Sequence, residues 1–170
     1  MSNEVKHAVI RKDRLYGTDV AAALVSMRFY NGANPAAIDN GNVVRLDGLL
    51  EGERELYKAV APAANTPLGD IAIVGTNEVI YDERKKNLSD FVNEAGAASL
   101  GYRPHAGDIF SVTAEALSAA AAIAKGDIVE LQADTKLKVV KSATNGSTQV
   151  GVIAAIETAG RYTYYVIEVK

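Results

Sequence analysis

An internal repeat is the feature that most restricts what this chain can fold into. The matched segments are residues 41–46 with 126–131, 55–60 with 136–141, and 68–74 with 150–156. Their offsets are 85 (126 − 41), 81 (136 − 55) and 82 (150 − 68), and their order along the chain is the same. The repeated positions are mainly turn glycines and aliphatic residues. The repeat therefore predicts two copies of one β unit, joined by loops of different length.

Short strands separated by turns account for most of the pattern. Val25, Met27 and Phe29 alternate with residues of the opposite face, as in a half-buried strand. Residues 71–74 form a continuous apolar run, which predicts a buried strand. Many short strands at such spacing are typical of barrels and sandwiches. We expect a mainly β protein of two similar small β-barrel or β-sandwich units with one or two short helices.

Two segments carry helical signals. Apolar residues fall at helical spacing at Leu88, Phe91, Val92 and Ala95, before a glycine stop at Gly96. Residues 114–124 are rich in alanine, the best helix former, and predict a short connecting helix.

The repeat also divides the chain into segments. The expected division is an N-terminal arm at 1–16, a first β unit at 17–113 with an insertion at 77–101, and a second β unit at 114–170. A further alignment pairs residues 109–113 with 165–169 as corresponding strands of the two units. The insertion has no counterpart in the second copy.

The sequence offers little catalytic chemistry. Its two histidines, His7 and His105, have no partner at metal-ligand spacing, and cysteine is absent. The neighbouring carboxylates at residues 51–55 and 82–83 lie in polar spacers, which favours solvated loops. We therefore predict no catalytic, cofactor or metal site, and a protein that is not an enzyme.

Charge and hydropathy restrict the partners. The net charge is −3, which argues against a nucleic-acid surface that neutralises phosphates. No apolar run approaches the ~20 residues that span a bilayer, so we expect no membrane partner. The first residues lack the regions of a secretory signal, which favours synthesis in the cytoplasm.

Two groups of residues are candidates for contacts. Residues 2–16 are polar apart from the short apolar patch at 7–10, so they form either a loosely attached terminus or an arm that orders on a partner. Near the end of the chain, Tyr162 and Tyr164 share one face of a strand. They are either core residues or a subunit contact, since tyrosine is enriched in interface cores.

The second repeat resembles a known family. Gly126-Asp127-Ile128-Val129 followed by Val150-Gly151-Val152-Ile153-Ala154 and a closing strand is similar to auxiliary head proteins of tailed bacteriophages. These include the lambda-type capsid decoration proteins and the head-fibre proteins of phages that infect Gram-positive hosts. The resemblance covers residues 123–170, and through the repeat it extends more weakly over 41–113.

The resemblance implies β-tulip-like units attached to the capsid exterior of the virion at local threefold positions. The partner would be the major capsid protein, and the chain would form a homo-oligomer, with a trimer favoured. By analogy with the family's N-terminal arms, the residues that would add to a capsid strand through backbone pairing are Val5, Lys6, His7, Ala8, Val9 and Ile10. Deleting residues 2–12 would then abolish attachment and leave the melting temperature nearly unchanged.

Two functions follow as hypotheses. The first is a structural virion protein, a decoration (cement) protein that binds and stabilises the outer surface of a tailed-phage capsid. The alternative is a small-barrel module that binds nucleic acid or the ribosome, because the turn and strand at residues 126–129 also open such barrels. The acidic charge counts against the alternative.

Overall fold

The computed structural model describes residues 4–170, which form strands and single 3-10 turns. The strands are β1 Ile10–Arg14, β2 Leu24–Asn31, β3 Asn34–Pro35, β4 Val43–Leu49, β5 Leu56–Val60, β6 Ile71–Val74, β7 Ser99–Tyr102, β8 Ile109–Val112, β9 Leu117–Ala119, β10 Ile128–Gln132, β11 Asp134–Val140, β12 Gln149–Ala159 and β13 Tyr162–Val169. The turns are Tyr16–Thr18, Ala21–Ala23, Leu68–Asp70, Leu88–Asp90 and Ala114–Ala116. The prediction of a mainly β protein is confirmed.

Five strands close into a barrel in the order β2-β5-β4-β6-β7, with β7 pairing back onto β2. Val25, Met27 and Phe29 point into its interior, as their alternation predicts. At Gly101 of β7, a Cβ atom would lie 3.0 Å from the Met27 sulfur and 3.1 Å from the Ala72 Cβ. Glycine at this position therefore lets β7 approach the side chains that fill the barrel.

The remaining strands, apart from β3, form a seven-stranded sheet in the order β1-β8-β13-β12-β10-β11-β9. Its run β11-β10-β12 has the same antiparallel pairing as β5-β4-β6 in the barrel. In each copy one earlier strand lies parallel to the outer strand, β2 beside β5 and β9 beside β11. The internal repeat is therefore a repeat of strand pairing.

Hydrogen bonds correct the expected alignment of the repeat. The Gly41 N–H donates to the Val74 carbonyl, and the Gly126 N–H donates to the Ile153 carbonyl, both at 2.8 Å. Val74 thus corresponds to Ile153, an offset of 79 (153 − 74) instead of 82. Aliphatic strands look alike when they are shifted by three residues, but an odd shift exchanges the two faces of a strand.

The other two alignments change as well. Arg45 lies opposite Val60, and Glu130 lies opposite Lys138, so the β5 and β11 segments correspond at an offset of 78 (138 − 60) instead of 81. The proposed match of residues 109–113 with 165–169 is also wrong, because β8 and β13 are neighbours that pair with each other. Strand β7, which pairs with β6, holds the position that β13 holds beside β12.

One core joins the barrel to the second sheet. Strand β6 and the start of β4 are buried on both faces: Val43, Ile71 and Ile73 pack against the second sheet, whereas Ala72 and Val74 face the barrel interior. The largest fully buried side chains that the second sheet contributes to this core are Phe110, Leu131, Leu137, Ile153 and Ile167. The predicted buried strand at residues 71–74 is confirmed, and its continuous apolar run reflects two cores, one on each face.

The two predicted helices are reduced to single 3-10 turns. After Leu88–Asp90 the chain becomes extended, and Asn93 exchanges two backbone hydrogen bonds of 3.0 Å with Ile38. After Ala114–Ala116 the alanine-rich segment enters β9, where Leu117 lies opposite Leu137. In both places tertiary pairing overrides helix propensity, which is a weak preference.

A buried carboxylate closes the loop between β11 and β12. Glu130 is 1% exposed, and it accepts hydrogen bonds from Lys138 Nζ at 3.1 Å and from the Thr144 N–H at 3.0 Å. Burial raises the pKa of Glu130, but the hydrogen bonds from Thr144 and Lys138 together lower this pKa by a larger amount. The net pKa shift is therefore downward. Because the folded-state pKa is lowered, the carboxylate stabilises the fold above its ordinary pKa of 4.5, and this contribution is lost as the pH falls through the folded-state pKa.

We expect Glu130→Gln to lower the free energy of unfolding at pH 7 by about 1–3 kcal/mol, because charged hydrogen bonds are replaced by weaker ones in a buried setting. The difference from the parent protein should shrink as the pH falls below 4.5. Urea denaturation across this pH range measures both effects. The matched control is Glu168→Gln, which removes a surface pair with Lys170 and should cost less than about 1 kcal/mol. Equal losses for the two variants would contradict the prediction.

Candidate functional site

The predicted contact residues 5–10, here called the strap, are docked on the protein itself. Val9 is 1% exposed, its N–H donates to Thr113 Oγ1 at 3.1 Å, and its carbonyl accepts from the Thr113 N–H at 3.1 Å. Ala8 and Ile10 are also buried. The expected loosely attached terminus is therefore corrected over residues 7–10, because their apolar side chains find a place in the chain's own core.

Three polar groups fasten the strap. His7 Nδ1 lies 2.8 Å from Asp39 Oδ1, and the Ala8 N–H donates to Asp39 Oδ2 at 3.1 Å. The His7 N–H donates to the Ser89 carbonyl at 3.1 Å. Lys6 lies 3.6 Å from an Asp90 carboxylate oxygen with its own side chain 71% exposed. The backbone N–H of Asn87, with Lys6, lowers the pKa of Asp90, so this carboxylate stays charged beside the strap.

Tyr162 and Tyr164 lie against the strap. Both are buried, and they form a small apolar cluster with Val9 and the half-buried Val5. Their ring centroids are 6.1 Å apart, and the Tyr162 hydroxyl accepts a hydrogen bond of 3.3 Å from the Ser89 N–H. The structure thus brings the two predicted groups of contact residues together. A subunit contact through the tyrosine rings would first require their exposure.

A guanidinium covers the second tyrosine. The Arg11 Cζ atom lies 4.2 Å from the Tyr164 ring centroid, and Arg11 also donates to Glu157 at 2.7 Å. Burial raises the pKa of Tyr164, so its hydroxyl remains protonated and the ring remains neutral under the cation. This contact ties β1 to the β12–β13 hairpin.

The insertion forms a lobe at residues 75–98; its last three predicted residues, 99–101, belong to barrel strand β7. A buried amide network fixes its base. Asn93 Nδ2 donates to the Ile38 carbonyl at 3.0 Å and to Asn40 Oδ1 at 3.1 Å, and the same Asn40 oxygen accepts from the Thr76 N–H at 3.1 Å. The lobe is therefore held to the barrel at both ends.

The outer part of the lobe exposes apolar side chains next to the charged run at residues 82–86. Tyr81 is 93% exposed, Val79 58% and Leu88 46%. Beside them lies an open cavity of about 280 Å³, lined in part by Tyr81, Phe91 and Val92. Within residues 4–170, the lobe holds three of the six large hydrophobic side chains that are exposed. This concentration distinguishes the lobe from the rest of the surface.

The described residues provide little catalytic chemistry. His105 stacks on Tyr16, with ring centroids 4.4 Å apart, and its Nδ1 contacts the Arg103 carbonyl at 3.0 Å. Across residues 4–170, histidine, aspartate and glutamate side chains form no group of three that could hold a metal ion. No helix in this range is both long and apolar enough to cross a membrane.

Sequence reasoning missed the residues that hold the strap. Asp39 contacts His7, which lies 32 positions away in the chain. Ser89 contacts Tyr162, which lies 73 positions away. A single sequence carries no local signal for such pairs. The Asn87-x-x-Asp90 capping pattern marks only the turn that presents Ser89.

No protein-family model, curated protein or solved structure matches the chain.

Proposed function

We propose that the chain is a structural virion protein that binds the outer surface of a tailed-phage capsid and stabilises it. The observation that carries the proposal is that the two unrepeated segments meet on a duplicated β scaffold. The strap and the lobe are joined by the contacts of His7 with Ser89 and of Lys6 with Asp90. A rigid scaffold that presents one composite surface suits a protein whose work is attachment.

The lobe provides the attachment surface in this proposal. Tyr81 and Val79 project from a lobe whose base is fixed by buried amides, so their apolar area is available to a partner. Exposed apolar clusters of this kind mark sites of protein interaction, and tyrosine is frequent among residues that dominate binding energy. The partner is the outer face of the major capsid protein, and each copy of the chain bridges neighbouring capsomers.

The proposed mechanism is mechanical. Apolar area buried at each contact opposes separation of the capsomers under the outward pressure of packaged DNA. A cement needs a stiff body, and the strap contributes stiffness because it links the second sheet to the lobe through Thr113 and Ser89. The exposed Lys6 and half-buried Val5 are the strap side chains positioned to reach a capsid strand.

We expect the double variant Val79→Ser, Tyr81→Ala to bind shells of the cognate major capsid protein at least tenfold more weakly, with an unchanged melting temperature. Loss of two exposed apolar contacts worth about 1.4 kcal/mol or more in total corresponds to this factor or more. Co-sedimentation with expanded shells stripped of accessory proteins measures the binding. The control is Leu49→Ser, which changes an exposed apolar side chain (48%) on β4, outside the lobe. Unchanged binding of the double variant, or equal loss in the control, would overturn the lobe as the attachment surface.

One observation favours the second candidate, a nucleic-acid-binding module. Arg28 and Lys58 lie directly opposite each other on β2 and β5 of the barrel, and Lys58 Nζ lies 5.6 Å from the Tyr30 ring centroid. Like charges in this arrangement repel each other, and a phosphate would relieve the repulsion. Binding of single-stranded RNA or DNA with a steep salt dependence, together with no binding to shells, would select this candidate instead.

A further inference from the structure

The β12–β13 hairpin extends beyond the sheet that holds it. Strand β10 pairs with β12 only as far as Val152, and the last bond on that side joins the Gly126 N–H to the Ile153 carbonyl. From residue 154 to 159, β12 pairs with β13 alone among the described strands. Every second residue of this segment therefore directs its N–H and C=O groups away from β13, where no strand accepts them.

This free edge, residues 154–159, lacks the features that usually prevent edge pairing. Its sequence contains no proline, lysine or arginine. Its one charge, Glu157, is engaged by Arg11 at 2.7 Å. Ile156 is 42% exposed on the edge. A bulge lies at the start of the segment, and from Ala155 onward the register with β13 is unbroken.

The two outer strands of the second sheet differ from this edge. Strand β1 carries four charged residues in five, and its register with β8 is broken between Arg11 and Arg14. Strand β9 at the opposite side has only three residues. Charges, irregularity and short length each discourage pairing. The free edge of β12 is thus the least protected strand edge of this sheet.

We propose that a second copy of this chain pairs antiparallel along the free edge and forms a two-fold dimer with one continuous sheet. Identical strands that pair antiparallel form an isologous contact, which closes at two subunits. The proposal is independent of capsid binding, since it uses the hairpin and leaves the lobe exposed.

The side chains select the register of the pair. Directly opposite residues of paired strands lie on the same face of the sheet. In a strand paired with its own copy, this requires the two-fold axis to pass beside one residue, which then lies opposite the same residue of the partner subunit. An axis at Glu157 would place two carboxylates opposite each other, which is unfavourable. An axis at Ile156 places Ile156 opposite Ile156 of the partner subunit, and Glu157 opposite Ala155 of the partner subunit. The register centred on Ile156 therefore joins apolar groups and separates the charges.

The cysteine-free chain allows a direct test. We expect the Ile156→Cys variant to form a covalent dimer under mild oxidation, because opposite residues of paired strands approach disulfide distance. The matched control is Leu49→Cys on β4, where the parent side chain is similarly exposed at 48%. Cross-linking at both positions to the same extent, or at neither, would overturn the proposal.

Sedimentation velocity supplies the second measurement. The parent protein should sediment with twice the mass of the chain at micromolar concentration, and Ile156→Lys should sediment as the monomer while its far-UV circular dichroism spectrum stays that of the parent. Thr163→Lys, an exposed substitution on β13 away from the free edge, should remain a dimer. A monomeric or trimeric parent protein would overturn the proposal, whatever the outcome of shell binding.

Discussion

Deletion of residues 2–12 is expected to lower the melting temperature by about 10 °C or more. The deletion removes Val9 and Ile10, which are 1% and 5% exposed, and each buried side chain of this size contributes about 1.5–3 kcal/mol. It also removes the hydrogen bonds to Thr113 and the first half of β1. For a chain of this length, each kcal/mol corresponds to about 2–4 °C.

This result would reverse the expectation drawn from the sequence, in which the same deletion leaves the melting temperature unchanged. Thermal unfolding followed by circular dichroism measures the effect. A pair of point variants separates packing from truncation: Val9→Ser should destabilise the protein strongly, whereas Lys6→Ser, at a side chain 71% exposed, should have little effect. If the truncated protein and the parent protein have the same melting temperature, the strap is not part of the stable fold.

Gly151→Ala is expected to destabilise the protein by about 3 kcal/mol or more, at the upper end of the range for overpacking. Gly151 is buried in β12 opposite Val169 of β13. A Cβ atom there would clash with the Glu168 carbonyl oxygen and would lie 2.9 Å from its carbon and 3.1 Å from the Val169 Cα. These are backbone atoms of the central strand pair, so relief requires separation of β12 from β13.

Gly69→Ala is the matched control for Gly151→Ala, because a Cβ atom at Gly69 meets no other atom within 4 Å. The control should change the free energy of unfolding by less than about 0.5 kcal/mol. Urea denaturation and soluble yield compare the two variants. If both unfold at the same urea concentration, close backbone approach is not the reason for glycine at position 151.

Local patterns in the sequence predicted the local parts of the fold. The alternation at Val25, Met27 and Phe29 gave the barrel-facing side of β2, and the apolar run at residues 71–74 gave a buried strand. The glycines at 41 and 126 marked equivalent turns. Each of these features depends on neighbours within a few residues, which is the range over which a single sequence is informative.

The structural features that could not be predicted from the sequence depend on pairing between segments far apart in the chain. The predicted helix after Leu88 ends early because Asn93 pairs with Ile38, a strand-like contact between segments far apart in the chain. The strap was expected to be loosely attached because its docking partners, Asp39, Ser89 and Thr113, are distant in sequence. In the candidate site, Val9 and the two tyrosines could be named in advance, but their contact with one another could not.

The pairing of β1 with β8 sets the order in which the chain can fold during synthesis. Arg11 lies opposite Ser111, so a ribosome must add 100 residues (111 − 11) after Arg11 before its partner exists. At elongation rates of about 5–20 residues per second, this interval lasts roughly 5–20 s. Throughout that time the strap and β1 have no sheet to join, although the barrel strands emerge earlier. The strap and β1 are made before the barrel strands but are thus among the last segments to reach their final place.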